Sequence, residues 1–326
     1  LPGQFNAPVN YQQAKTNHFN KRGNMRWTDI KKDFKRNKTI YLMIFPVLLF
    51  FIIFKYVPMG GIIMAFQRFS PKLGIYGSKW VGFQHFKDFF GSYYFFRLLR
   101  NTFLLSFYDF VFFFPSPIAF ALLLNEVSNK MFKKIVQTAS YLPYFVALVV
   151  ICGLIVDFTS SNGFITNIIV NMGGERTNLL GQAGLFRTIF VSSNVWQNLG
   201  FHSIIYLAAL SNVNPELYQA AYIDGAGRWK QTWHVSIPGI SSTIIILLIL
   251  RLGSLLTVGF EKIILLYNPS TYETADVISS FIYRKGLLEA NYSYSTAVGL
   301  FNSVINFAVL IIANSISRKY SETSLF

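Results

Sequence analysis

Apolar runs long enough to cross a bilayer alternate with polar stretches along almost the whole chain. Apolar residues dominate at about 40–57, 101–124, 136–156, 188–210, 240–258 and 295–316. Each run is close to the roughly 20 residues a helix needs to span a hydrocarbon core. In lipid the backbone must satisfy its own hydrogen bonds, so each run is predicted to be a helix. The predicted fold is therefore all-α, a polytopic membrane protein with six spans in a transmembrane domain at about 40–316. Pro46 falls in the first turns of the first run and Pro143 early in the third, while Pro115 and Pro117 predict a kink or break in the second. Lys55, near the end of the first run, is placed to snorkel. A further apolar piece, Phe164 to Met172, is too short to span and is expected as a re-entrant or surface helix.

The polar stretches differ in kind. Residues 1–39 are a basic arm in which Trp27, Ile30 and Phe34 recur at helical spacing among lysines. That pattern fits a helix on the inner membrane surface feeding the first span, or a merely solvated arm. No cleavable signal pattern precedes the first span, and Leu1 stands where a natural start would have Met. Residues 317–326 form a short tail. The stretch 212–238, between the fourth and fifth runs, has internal organisation. Asn214 is placed to cap a helix, Pro215 suits its first position, and Glu216 suits the positive end of its dipole. Leu217, Ala220 and Ala221 then fall on one face. Gly225 and Gly227 interrupt that helix. A second short helical piece follows through Trp229 and Trp233, and Pro238 is expected to end it. Two short helices at an angle, with small alanines outward, make a knob shaped for a groove on another protein.

Charge orients this pattern. The chain carries 29 Lys and Arg against 14 Asp and Glu. The arm alone holds nine basic residues, from Lys15 to Lys38, against Asp29 and Asp33. Lys130, Lys133 and Lys134 mark the short second polar stretch, and Arg318 and Lys319 the tail. Basic flanks stay in the cytoplasm, so both termini and the 212–238 loop are expected there. A nucleic-acid-binding reading would need a basic face on a soluble domain, and the excess sits instead beside the spans. One outer segment departs from the rule: Arg68, Lys72, Lys79, Lys87, Arg97 and Arg100 face only Asp88. Long loops obey the rule weakly; the alternative is a surface meeting an acidic partner or anionic substrate. The 34 phenylalanines suit lipid-facing and interfacial positions. The single cysteine, Cys152, lies in an apolar run and reads as a small buried apolar residue.

Candidate chemistry is sparse. There is no phosphate-binding GxxxxGK[ST] loop, so the chain is not expected to bind ATP itself. His18, His85, His202 and His234 are scattered, with no metal-ligand spacing. No nucleophile elbow and no relay of stacked carboxylates is present, and Asp109 is the one acid deep in a run. No catalytic residue, metal site or bound cofactor is expected. Polar side chains within the spans are the remaining candidates. The fourth run holds Ser192, Ser193, Asn194, Trp196, Gln197, Asn198 and His202, and the sixth holds Asn302 and Asn306 one turn apart. Such groups are costly in lipid and face an interior or a wet cavity, although helix–helix hydrogen bonds explain any single one equally well. Asn194, Trp196, Asn198, His202, Arg251, Asn302 and Asn306 are the substrate-path candidates. Arg251 and Arg187 are placed to meet a carboxylate or to pair within the protein.

The 212–238 stretch resembles the EAA loop of permease subunits in binding-protein-dependent ABC importers. That pattern reads Glu-Ala-Ala, three residues, Gly, nine residues, Ile-x-Leu-Pro. Here it runs Gln219-Ala220-Ala221, then Gly225, then Val235-Ser236-Ile237-Pro238, with the spacing intact. Asp224-Gly225-Ala226 is similar to the sugar-importing branch. Gln219 departs from the family's Glu and removes a charge; Val235 and Ile237 keep the shape. Lys55 to Phe66, Trp80 to Phe83, Leu266 to Pro269, Tyr272 to Asp276 and Tyr283 to Gly286 resemble permeases for polysaccharides and complex oligosaccharides, those of alginate importers in particular.

The resemblance implies the six-helix core of a type I ABC importer permease with a cytoplasmic coupling helix, in the bacterial cytoplasmic (inner) membrane. It implies a homologous second permease, two ATPase subunits holding ATP and Mg, and an extracytoplasmic solute-binding protein. Gln219, Ala220, Ala221, Asp224, Gly225, Ala226, Val235, Ile237 and Pro238 would dock the ATPase. The cargo would be an oligo- or polysaccharide, acidic and alginate-like if the basic outer segment is functional. A neutral complex oligosaccharide is the alternative within this class, and an ATP-independent channel or carrier the alternative outside it.

Overall fold

A computed structural model describes residues 36–255 and 259–320. The surface helix expected around Trp27, Ile30 and Phe34, and the last part of the tail, 321–326, lie outside the described residues. The chain divides into two compact units, residues 1–61 and 62–326. In the first, helix α1 (Lys38–Phe51) carries Pro46 within it and runs on through a wide π turn at Ile52–Tyr56. None of the residues in α1 or its π turn is buried. That is the condition of a span whose side chains have lipid as their solvent, where helix association gains nothing from hydrophobic burial.

The second unit is helical apart from one pair of two-residue strands, β1 (Gln67–Arg68) and β2 (Lys79–Trp80), antiparallel with Gln67 opposite Trp80. Its main helices in order are α2 (Gln84–Phe90), α3 (Tyr94–Phe113), α4 (Pro115–Glu126), α5 (Lys130–Phe145), α6 (Leu148–Thr159), α7 (Phe164–Asn171), α8 (Ala183–Ser211), α9 (Pro215–Ile223), α10 (Arg228–Gln231), α11 (Ser241–Gly253), α12 (Phe260–Leu266), α13 (Ile278–Tyr283) and α14 (Tyr292–Tyr320), with shorter helical turns between them. Pro115 opens α4 directly after α3, where a missing N–H costs least. Asn129 caps α5 by accepting from the N–H groups of Met131 and Phe132, each at 3.0 Å.

Among the described residues, four helical runs are long and apolar enough to cross a membrane: Lys38–Phe66, Tyr94–Glu126, Leu148–Asn171 and Tyr292–Ile312. A fifth arises if Arg228–Gly239 and Ser241–Gly253, bent by 63°, count as one. Two apolar runs of the sequence take a different form. At about 136–156 the chain breaks at Val146–Ala147, so α5 and α6 are separate helices, and the short piece at Phe164 extends α6 as α7. At 188–210 the helix is α8, whose 29 residues measure about 44 Å at 1.5 Å each. Its polar stripe keeps it off the apolar count.

α8 is the centre of the unit and packs against α3, α4 and α5. Gly200 permits the close approach to α5, because a Cβ there would collide with the backbone carbonyl of Ser140. Three buried apolar clusters follow. One joins Leu105, Ile151, Phe186, Phe190 and Ile263; a second joins Phe89, Leu98, Phe281 and Val298; a third joins Ala121, Tyr206, Leu210 and Ile240.

Between α12 and α14 a polar knot ties the segment 268–284 to the starts of α3 and α8. Asp276 is fully buried and accepts from Arg284 (2.6 Å), Arg97 (3.4 Å) and Ser280 Oγ (2.9 Å). Asn101 on α3 donates to the carbonyls of Glu273 and Asp276, and Arg187 on α8 donates to Asn101 Oδ1 at 2.9 Å. Arg97, one of the six cations counted in the first outer segment, is therefore committed to the fold. Burial pulls the Arg284 guanidinium toward losing its proton. The hydrogen bond and charge of Asp276 more than offset this, and its pKa ends above the ordinary arginine value.

Candidate functional site

The knob forms where α8 ends. Val213 tucks into the third cluster, and Asn214 Oδ1 accepts from the Glu216 N–H at 3.0 Å to start α9. The helix stops at Asp224 because Gly225 takes φ +74°, a left-handed conformation that side chains resist. The Ala226 N–H reaches back to Ala221 O at 2.8 Å, closing the C-terminus. Gln231 Nε2 donates to Ala226 O at 2.8 Å, and the Tyr218 and Ser236 hydroxyls meet at 3.0 Å, so both halves of the knob are fixed to each other. After α10 the helix continues through a π turn at Thr232–Ser236 and the short Ile237–Gly239. It ends at Ile240, two residues past Pro238: the proline sits within the last turn, and the 63° bend follows it.

Gln219, Ala220, Asp224 and Pro238 are exposed on this knob; Ala221, Ala226, Val235 and Ile237 are half-buried. Around them Leu217, Tyr222, Ile223, Trp229 and Trp233 stand out from the body, Ile223 at 83% and Trp229 at 84% exposure. A cluster of large apolar groups on a polar helix pair marks a surface built to be covered.

The substrate-path candidates fall in different places. Asn194 and Asn198 on α8 and Arg251 on α11 converge on one cavity of about 600 Å³, together with Ser106, Asp109, Gln197, Glu261 and Lys262. Asp109 on α3 is the hub. It accepts from Arg251 Nη2 and from Asn194 Nδ2, and Asn198 Nδ2 in turn donates to Asn194 at 2.9 Å. The Arg251 guanidinium also lies 5.5 Å from the Phe113 ring. His202 does not line this cavity; it packs edge-on to Phe113, beside Tyr144 and Phe201, and shares a smaller cavity of about 240 Å³ with Arg251. Trp196 faces a separate apolar cleft with Leu154, Phe158 and Ile165. Asn306 donates to the Asn302 carbonyl at 3.1 Å along α14, and neither residue lines the Asp109 cavity.

Lys262 was not among the candidates. Its side chain is buried, at 4% exposure, and its ammonium lies over the Phe190 ring at 5.5 Å. Burial lowers its pKa to about 8, with Cys152 and Asp109 opposing that shift. One signal was available in the sequence: Lys262 is a lone cation against the apolar run Ile263–Leu266.

An all-helical membrane chain with an amide-lined cavity and an exposed helical knob has the frame of a transport permease. The chain belongs to the family of binding-protein-dependent transport system inner membrane components, which it matches over residues 90–322. It is a permease subunit of a sugar ABC importer. Protein LplB of Bacillus subtilis (strain 168) is 45% identical over 90% of this chain and 92% of that protein. The polygalacturonan/rhamnogalacturonan transport system permease protein YteP of the same organism is 44% identical, over 89% and 91%. The fold is similar to a chain of the bacterial alginate ABC transporter solved in complex with an alginate pentasaccharide-bound periplasmic protein. That match has a TM-score of 0.84 and 45% identity, covering 90% of this chain and 99% of the other.

Proposed function

We propose that the chain conducts an acidic oligo- or polysaccharide into the cytoplasm, driven by ATP hydrolysis on two partner ATPases that grip the 212–238 knob. The supporting observation is the knob itself: the EAA spacing coincides with a rigid, bent helix pair whose apolar residues lie uncovered. In this reading the knob and both termini are cytoplasmic, a homologous permease completes the pathway, and a solute-binding protein delivers cargo from outside. ATP and Mg reside on the ATPases. Gln219, Ala220, Ala221, Asp224, Gly225, Ala226, Val235, Ile237 and Pro238 form the docking surface, and closure of the ATPases pulls it to switch the permease between two states.

Acidic cargo is supported by two relatives, one named for alginate and one for polygalacturonan, both uronic acid polymers. It is also supported by the exposed cations Arg68, Lys72, Lys79, Lys87 and Arg100 of the first outer segment. The rival is a neutral oligosaccharide, in keeping with the 25% identity to an arabinooligosaccharide permease of Bacillus subtilis (strain 168).

Gly225→Arg combines a strained backbone with a bulky charge on the docking face. In the reconstituted complex it is expected to abolish cargo uptake and release the ATPases on purification, with the membrane helices still folded. Normal uptake by that variant would refute ATPase coupling through the knob.

A further inference from the structure

Three buried polar atoms that lack a hydrogen-bond partner among the described residues belong to residues lining the Asp109 cavity: Ser106 Oγ, Arg251 Nε and Lys262 Nζ. The hydroxyl, the guanidinium N–H and the ammonium are all able to donate. Asp109, the one buried acid of the cavity, is already engaged by Arg251 and Asn194. Glu261 stands exposed on α12 and makes no ion pair with Lys262 within 4.0 Å. Lys262 thus offers a desolvated ammonium with no hydrogen-bond partner among the described residues, lying over the face of Phe190, with Asp109 near enough to act on it only through its charge. Such a group is costly to hold without an anion, and donors left unmatched carry their full desolvation penalty. The neighbouring amides of Asn194, Gln197 and Asn198 suit hydroxyl groups.

We propose that Lys262, with Ser106 and the free Nε–H of Arg251, forms a carboxylate-binding subsite on the cargo route that takes the ionised carboxylate of a sugar acid. The two carboxylate oxygens supply the missing acceptors, and the amides hold the hydroxyls of the same or the next sugar. Asp109 neutralises Arg251 while the subsite is empty. It also keeps binding weak enough for cargo to leave, because it is a like charge beside the bound carboxylate. This inference rests on the reading that the cargo is an acidic saccharide.

The test uses the assembled importer in proteoliposomes, with its sister permease, ATPases and binding protein. Oligomers of alginate and of galacturonate are compared with methyl-esterified galacturonate oligomers, which keep the shape and lose the charge. Lys262→Met is expected to raise KM for the ionised oligomers by about 10-fold or more, the effect of losing a charge-assisted hydrogen bond. It is expected to leave the esterified oligomers unaffected, and Lys262→Arg should restore most of the loss. Should Lys262→Met fail to assemble, Ser106→Ala carries the same charge-selective expectation with a smaller effect. Equal loss for both kinds of oligomer, or no change for either, overturns the subsite. A wild-type importer that takes ionised and esterified oligomers equally overturns the acidic cargo reading and the subsite with it. A charge-selective wild type with an indifferent Lys262→Met overturns the subsite alone.

Discussion

Asp276 and Asp109 are both buried carboxylates that hold an arginine, yet their surroundings are opposite. Asp276 is saturated: two guanidiniums and a serine hydroxyl fill its oxygens, and the chain around it bonds to Asn101 and Thr102. Asp109 shares its cavity with three unmatched donors and about 600 Å³ of open volume. The first arrangement holds the segment 268–284 to α3 and α8. The second is polar and incomplete, as a surface must be if passing cargo is to complete it. Both sites leave arginine Nε groups unmatched, Arg97 and Arg187 in the knot and Arg251 in the cavity; the open volume and the unpartnered Lys262 ammonium are what set the Asp109 site apart.

The sharpest way to break this contrast is Asp276→Ala. Two half-buried arginines would lose their carboxylate, a change that costs about 3–5 kcal/mol when a buried pair is broken from one side. Thermal unfolding of the purified complex should fall accordingly, and a variant that melts like wild type would remove the knot's structural role. Asp109→Asn is the matching change in the cavity. Arg251 there is one-third exposed and keeps water within reach, so the cost should be about 1–3 kcal/mol, that of leaving one polar partner unmatched. Assembly should survive while cargo uptake changes. Equal destabilisation by the two substitutions would erase the distinction between them.

A third expected effect is a pH slope. Lys262 lies outside the apolar spans, between α11 and α14, and burial lowers its pKa to about 8, against about 10.4 in an unfolded chain. The unfolded state therefore binds more protons between these values, and stability rises with pH across that window. The cost of the charged, buried ammonium is fully present below about pH 8 and relieved above it. Lys262→Met should flatten that part of the stability profile.

Much of the knob is readable residue by residue. Asn214, Pro215 and Glu216 start the helix as their chemistry dictates, and Gly225 ends it, because caps and positive φ are decided within a few residues. The all-helical membrane class was equally legible, since apolar run length answers directly to bilayer thickness. The break at Val146–Ala147 was not, because an apolar run reads the same whether it is one helix or two. Nor was the sorting of the polar span residues. Asn194 and Trp196 are two positions apart, and that spacing turns them about 200° around α8, one into the Asp109 cavity and the other into an apolar cleft.

The sequence by itself determined the class, the spacing of the knob and the excess of positive charge, all properties of local pattern and count. Only the tertiary structure decided which charges are spent. Arg97 and Arg284 meet Asp276 from positions 179 and 8 residues away, and Arg251 meets Asp109 across 142. Lys262 is left without a hydrogen-bond partner in the same cavity. Charge pairing depends on a few ångströms of separation between segments distant in the chain. For the knob, the fold confirmed a rigid helix pair and left its apolar face uncovered.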